Sequence, residues 1–392
     1  MGKFEKIQNR SDYERSTPRG RFLSAVDRKS PGNVCLDLVQ GIASFTSAFY
    51  ENMCDYLDVT DNTAPLTSRM LQIVQPNSYI QERVCGDLRV LGIGPPEDGD
   101  REIDEGSYED EWGIIRRRSS NSYYYDIVSS PLSGCNDPME CLDQFKVPER
   151  PGKRTRGMSK IAKDYYERGY AVGAWCFPGI FEMVFWLRGY RNAYLDFARS
   201  PEIPATIMDK LLEINKKFWG KIIDELDGFL DVVILTEDLG TQSSLMISPS
   251  QFRDIVKPRL TELINFLKGR GEGLRVLLHS DGAVRPLISD FIDMGVDVLN
   301  PIQPKAKNMN HEELKESYGD RLSFHGGIDI QALLCNGDPR EVERETKQKI
   351  QLLGEGGGYI VAPSHCVQPD VPPENILAMV DAVKSVGDYP DP

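Results

Sequence analysis

The sequence predicts an α/β protein built as a (β/α)8 TIM barrel, carrying an N-terminal extension and an inserted subdomain or lid. Three observations lead there. Short apolar runs alternate with helical patterns through the last 230 or so residues. Polar and titratable residues collect at the ends of those runs. No glycine-rich dinucleotide fingerprint follows any run, since "GIGPP" (92 to 96) has no further glycine at the required spacing. The last point sets an open doubly wound sheet second to the closed barrel.

The elements follow in order. "NVCLDLV" (33 to 39) reads as a first strand, and "YAVGAWCF" (170 to 177) as the next. "VVILTEDL" (232 to 239), "RVLLHS" (275 to 280), "VDVLNPI" (296 to 302), "LSFHGGI" (322 to 328) and "YIVAPSH" (359 to 365) complete seven candidates, one short of a closed barrel. Such unbroken apolar runs suit parallel strands buried on both faces. Between them, Phe252, Ile255, Val256, Leu260, Leu263, Ile264 and Leu267 recur at helical spacing. Further helices are expected within 340 to 353 and after Pro372-Pro373, where proline suits a first turn. Residues 60 to 165 interrupt the alternation within what reads as one barrel domain over 1 to 392. This acidic stretch is expected to be an insertion, either a lid, a small β subdomain or a partner surface. The run Arg116 to Arg118 inside it reads as a solvated or carboxylate-paired face.

Composition narrows the partners. The 392 residues include 46 basic and 60 acidic ones, a net charge of -14, and such a field repels nucleic acid. No apolar stretch approaches the ~20 residues that span a bilayer. The N-terminal segment is charged and lacks an apolar signal core, so a cytoplasmic protein is expected. The 8 cysteines show no CxxC spacing and are expected to be reduced thiols.

In a parallel barrel every strand ends at one mouth, and chemistry is done there. The strand ends here offer Glu237 and Asp238, then His279 and Asp281, Asn300 and Gln303, His325 and Asp329, and finally His365 with Cys366. Of the 4 histidines in the chain, only His311 falls in a helical context that reads as exposed. Imidazole, carboxylate and thiolate from separate strands are the donors of a catalytic zinc, which needs three protein ligands and an open position. His279 and His365 are the first-choice ligands, with Asp281 and Cys366 as alternates for the third. Each has a plainer reading beside it. Asp281, ahead of Gly282, suits a helix cap; His279 suits a core histidine, and Cys366 a buried thiol. Glu237 and Asp238 are candidates for a further ligand, a general acid or a substrate clamp, or else for arginine-paired carboxylates. Gln242, Gln303 and His325 are candidate substrate contacts. Trp175 and Phe177 wall an aromatic substrate or simply pack the core.

Several segments also carry a family resemblance. "EDLGTQSSLMISPSQFRDIVKP", "LHSDGAVRPLISDFIDMGVDVLNPIQP", "YGDRLSFHGGID" and "GGGYIVAPSHCVQPDVPPENI" resemble the uroporphyrinogen decarboxylase superfamily, and within it the corrinoid-dependent methyltransferase branch. "RFLSAVDRKSPGNVCLDL" resembles the entry segment of that branch, whereas the decarboxylases' "RQAGRY"-type arginine motif is replaced by "TPRGRFLSAVD". The resemblance implies a (β/α)8 barrel, zinc, a corrinoid carried by a partner protein and a small-molecule methyl donor; barrels often dimerise, which makes a homodimer one expectation. It implies zinc held by His-x-Cys and a later Cys. His279 matches the histidine, Asp281 stands where the first cysteine would be, and His365 aligns with the second, with Cys366 one step on. Oxygen and nitrogen in place of sulfur make a bound metal a harder Lewis acid. A hard site suits an oxygen substrate, so the expectation is methyl transfer from an O-methyl donor, such as a methoxylated aromatic, to the Co(I) of a corrinoid protein (O-demethylation). The alternatives are a decarboxylase or lyase acting on a carboxylated substrate, a corrinoid-to-thiol methyltransferase, and a non-catalytic barrel that only binds.

Overall fold

The computed structural model describes residues 14, 16–29, 32–38, 44–84, 86–96, 99–120, 122–135, 137–145, 151–176, 179–226 and 228–387. Eight parallel strands form its centre: β1 (Cys35–Leu36), β2 (Leu88–Gly92), β3 (Ala171–Trp175), β4 (Val232–Thr236), β5 (Arg275–His279), β6 (Val298–Asn300), β7 (Ser323–Ile328) and β8 (Tyr359–Pro363). They pair in the order β1-β8-β7-β6-β5-β4-β3-β2. The Asp87 amide donates to the Leu36 carbonyl at 2.7 Å, which brings β2 back to β1 and rounds the sheet into a barrel.

β2, "LRVLG", is the strand that completes the eight, and it lies inside the stretch expected to be an insertion. Arg89 hides it in the sequence by placing a charge within a short apolar run. That guanidinium is buried; it donates to the carbonyls of Gly86 and Leu88 and lies over the Tyr170 ring, 3.8 Å from its centroid. Its neutralisation is local, so the strand tolerates it. The region 60 to 165 is thus not one uninterrupted excursion. Past β2, a four-stranded antiparallel sheet spans Arg101–Asp104, Ser107–Glu109, Ile115–Arg117 and Asp126–Ser129. Arg116 is paired with Asp110 and Arg117 with Asp104, as a carboxylate-paired run would be. Nearby, Cys135 and Cys141 form a disulfide, which corrects the expectation that all the cysteines are thiols.

Alternation along the strands sorts side chains into two cores. Inward positions Cys35, Leu88, Val90, Ala171, Val232, Ile234, Leu277, Val298 and Ile360 form one apolar cluster. Outward positions such as Val172, Val233, Val276, Leu278, Leu299 and Val361 join the larger layer under the helices. The apolar stripe from Phe252 to Leu267 is buried in that outer layer. The expected C-terminal helices form over Pro339–Gly354 and Pro373–Val386.

One end of the barrel is closed by a helix. Pro18–Val26 starts with proline in its first turn, and the Thr17 hydroxyl accepts from the Gly20 amide at 3.0 Å. Phe22, Leu23, Ala25 and Val26 then enter the inner cluster. The arginines of "TPRGRFLSAVD" serve this closure. Arg19 forms a two-pronged pair with Asp231, just before β4, and Arg21 reaches Asp87, just before β2. On the same side, Ser323 donates to the carbonyls of Ala25 and Val26, and Arg275 pairs with Asp27. Among the described residues, no helix is long and apolar enough to cross a membrane.

Candidate active site

The inward positions change character toward the strands' C-terminal ends. Above the apolar cluster come Asp37 after β1, His279 on β5, Asn300 on β6 and His325 on β7. The alternation that puts Leu277 inside carries on to His279, and that of Val298 carries on to Asn300. These four side chains form a hydrogen-bonded row across the barrel. Asp37 Oδ2 lies 2.8 Å from His325 Nε2, His325 Nδ1 lies 2.6 Å from Asn300 Nδ2, and Asn300 Oδ1 lies 2.5 Å from His279 Nδ1. Asp37, Asn300 and His325 are all buried. His325 is therefore a buried member of this row. Asp37 was missed in the sequence, although a carboxylate in the run "NVCLDLV" was a visible anomaly.

The free edge of His279 faces two carboxylates. Its Nε2 stands 3.8 Å from Asp238 Oδ1 and 3.8 Å from Asp281 Oδ1. The loops after β4 and β5 are locked to set this spacing. The Asp281 amide donates to Asp238 Oδ1 at 3.0 Å, the Leu239 amide to Ser280 Oγ at 3.0 Å, and the Ala283 amide to the Thr241 carbonyl at 2.8 Å. Gly282 has φ +85°, and a side chain there would overlap the Thr241 carbonyl, so glycine is required. Gln303 accepts from the Gly282 amide and from Gln242, so both glutamines hold this loop pair together.

Asp238, His279 and Asp281 each offer one ligand atom within 4.8 Å of the others, a spacing suited to one metal ion. Asp281 Oδ1 is buried without a hydrogen-bond partner, so Asp281 is not spent on capping a helix. A buried orphan oxygen is costly unless something else neutralises it. Burial pushes the Asp281 carboxyl up, and Asp238 adds to this, against the pull of His279 and His365. The donor set therefore fits a divalent cation.

His365 and Cys366 stand at the edge of this group. His365 Nε2 is 3.8 Å from Asp281 Oδ2, so the two first-choice histidines flank one carboxylate. Its Nδ1 is 3.1 Å from Cys366 Sγ. Burial opposes charge on both, but the two together favour thiolate and imidazolium. The Cys366 thiol is lowered by His365, and Cys366 with Asp281 pushes His365 up to about 10. Cys366 also contacts the Tyr124 hydroxyl at 3.4 Å, and Tyr124 is bonded in turn by Gln368. The connection into the last strand of the four-stranded sheet thus brings a tyrosine over the His365 edge, where the rings lie 6.3 Å apart.

Glu237 is directed elsewhere. Its carboxylate accepts from the amides of Ile180 at 2.7 Å, Phe181 at 2.9 Å and Glu182 at 3.3 Å, the exposed donors at the start of the helix Ile180–Arg188. Burial pushes Glu237 up to about 8, while these three amides pull it down. A Cβ on Gly179 would overlap both the Thr236 carbonyl and the Glu237 carboxylate, so Glu237 and Gly179 form a structural joint. Glu182, on the same first turn, is the carboxyl that sequence reasoning passed over. Burial, then Asp238 and Glu237, push it well above its usual range. The signal was present: Glu182 is the lone acid in the apolar run "IFEMVFWL".

Trp175 ends β3 inside the barrel, packed on the inner cluster beneath the mouth. Phe177 lies outside the described residues. His311, expected to be exposed, is buried and contacts the Ile302 carbonyl through Nε2 at 2.8 Å; burial lowers it to about 4. Helical position alone did not reveal that its face packs inward.

Comparison with known proteins agrees with this architecture. The family model "Uroporphyrinogen decarboxylase (URO-D)" matches residues 179–386. Uroporphyrinogen decarboxylase of Chloroherpeton thalassium is 22% identical over 175 residues, covering 43% of this chain and 48% of that one. Methylcobamide:CoM methyltransferase MtaA of Methanosarcina barkeri is 27% identical over 152 residues, covering 39% of this chain and 41% of that one. The chain spans about half the length, or less, of the curated relatives it matches. A solved methyltransferase from Methanosarcina mazei shares the fold, with a TM-score of 0.64 at 17% identity over 94% of this chain and 99% of that chain. With eight parallel strands rounded into a barrel and a family model covering more than half its length, the chain belongs to the uroporphyrinogen decarboxylase family, which has a methyltransferase branch.

Proposed function

We propose that this protein transfers a methyl group from an O-methyl donor to the Co(I) of a separate corrinoid protein, using a divalent metal, zinc by family implication. The observation that carries the proposal is the convergence of Asp238, His279 and Asp281, with Asp281 Oδ1 orphaned among them. These residues would hold the ion. When bound, it supplies a Lewis acid for the ether oxygen that leaves. A donor set of two carboxylates and one imidazole, without thiolate, is hard and favours oxygen over sulfur.

The chain's own residues account for the rest. Asn300 fixes the ring of His279, and the Asp281 amide fixes Asp238. Glu182, whose carboxyl burial and the neighbouring Asp238 and Glu237 push well above its usual range, is the candidate to give a proton to the departing alkoxide. Trp175 gives the site an apolar floor.

A second reading has the thiol as acceptor, favoured by the relatives named methylcobamide:CoM methyltransferase. A decarboxylase reading draws on the relatives of that name, but it needs cations at the mouth. Arg19, Arg21 and Arg275 are engaged at the other end, and Arg188 and Arg253 are paired with Asp196 and Asp290.

The test is metal analysis of anaerobically purified protein, followed by cobalamin absorbance with reduced corrinoid. Methoxylated compounds are tested with the reduced corrinoid, and free thiols are tested separately with methyl-cobalamin as the methyl source. We expect about one metal per chain, lost in His279→Ala, and methyl-cobalamin formed from a methoxylated donor. Methylation of thiols alone would reverse the direction, and a metal-free protein would remove the proposal.

A further inference from the structure

The row from Asp37 to His279 has a direction, and that direction follows from its far end. An ionised carboxylate can only accept hydrogen bonds. Asp37 Oδ2 must then receive its bond from His325 Nε2–H. On its other side His325 Nδ1 faces the Asn300 amide nitrogen, 2.6 Å away, which can only donate, so Nδ1 accepts. The amide oxygen of Asn300 must then face His279, and it accepts from His279 Nδ1–H at 2.5 Å. What remains on His279 is a lone pair at Nε2, on the edge facing Asp238 and Asp281. A metal ligand needs that lone pair, whereas the opposite tautomer would present a hydrogen there. Asp37 Oδ1 has no hydrogen-bond partner, so its contact with His325 sets the polarity of the row.

We propose that Asp37, His325 and Asn300 are positioning residues that hold His279 in the Nδ1–H tautomer, with its Nε2 lone pair aimed between Asp238 and Asp281. None of the three belongs to the candidate ligand group of Asp238, His279 and Asp281. They act from β1, β7 and β6 on a ring carried by β5, so the polarity of one ligand is set across half the barrel. The inference rests on the metal-site reading for its purpose, but the tautomer itself is measurable without any metal.

The experiment is nitrogen-15 NMR of histidine-labelled, chelator-treated full-length protein, followed by zinc titration. With only 4 histidines, the signals lost in His279→Gln, His311→Gln and His365→Gln assign three of them, and the fourth is His325. We expect metal-free His279 to be protonated at Nδ1 and bare at Nε2. Asn300→Leu removes the acceptor and should give mixed tautomers at His279, with zinc affinity reduced about 10- to 100-fold. Asn300→Asp restores an acceptor and should return both the tautomer and most of the affinity, a rescue that a space-filling role would not give. A wild-type His279 protonated at Nε2 overturns the inference, whether or not any variant folds. So does an Asn300→Leu protein whose tautomer and zinc affinity match the wild type within about twofold. If the tautomer is as proposed but wild-type protein takes up no zinc, the metal reading falls while the positioning row stands.

Discussion

The two ends of this barrel treat charge in opposite ways. At the closed end, each carboxylate meets a cation: Arg19 grips Asp231, Arg21 grips Asp87, and Arg275 grips Asp27. At the mouth, Asp238 and Asp281 converge on one imidazole, and one oxygen of Asp281 has no hydrogen-bond partner. The same strands carry both arrangements, so strand geometry does not explain the difference. Satisfied polar groups stabilise, while unsatisfied ones persist only where something else requires them. The closed end is satisfied within the fold, whereas the mouth leaves an acceptor open, as the proposed metal site requires.

The comparison can be broken first at the closed end. Arg19→Met would leave Asp231 buried beside the Val172 amide without its cation. Denaturant unfolding should show a loss of about 3–5 kcal/mol. A loss under about 1 kcal/mol would mean that the closed end is no more committed than the mouth.

His311 sharpens it from a polar group near the mouth but outside the site. Its ordinary value is 6.5 and its folded value about 4, so the unfolded chain takes up the proton first as pH falls. Its contribution is therefore complete above pH 6.5 and lost as pH drops toward about 4. The difference between wild type and His311→Gln should shrink across that window by up to about 3 kcal/mol. A flat difference would show that His311 does not behave as a buried neutral ring.

At the mouth itself, added zinc should stabilise the folded chain. At a free concentration 100-fold above the dissociation constant the gain is about 2.7 kcal/mol, read as a concentration-dependent rise in Tm. Asp238→Ala and His279→Ala should abolish it. The smallest effect is the most telling. In chelator-treated protein Asp281→Asn should change stability by no more than about 0.5 kcal/mol, or raise it slightly, because burial disfavours the charge it removes and the two imidazoles beside it stand off at 3.8 Å. The zinc response should vanish in the same variant. A large destabilisation by Asp281→Asn would mean that the mouth carboxylates are structural after all.

Much of this was legible before any coordinates. Alternation along 275 to 281 puts Leu277, His279 and Asp281 on one side, and the apolar runs announce seven of the eight strands. β2 escaped because Arg89 sits in a short run, its charge dealt with by carbonyls and a ring that only folding brings near. His279 and Asp281 were found because the last residue of a strand and the second residue after it are held at a short, fixed spacing. Glu237 and Asp238 look equivalent in the chain, yet consecutive residues face opposite ways: one caps a helix and the other joins the candidate metal group.

The sequence by itself determined the class of fold, the inward and outward face of each strand, and the residue types that reach the mouth. These depend on local period and on short spacings. Only the tertiary structure decided which of those residues meet. Asp37 and His325 are 288 positions apart, and their bond exists because β1 and β7 both flank β8 in a closed barrel. The polarity of the row, and with it the lone pair offered by His279, is a property of that closure, since a donor acquires an acceptor only when the register of separate strands sets them at the same height.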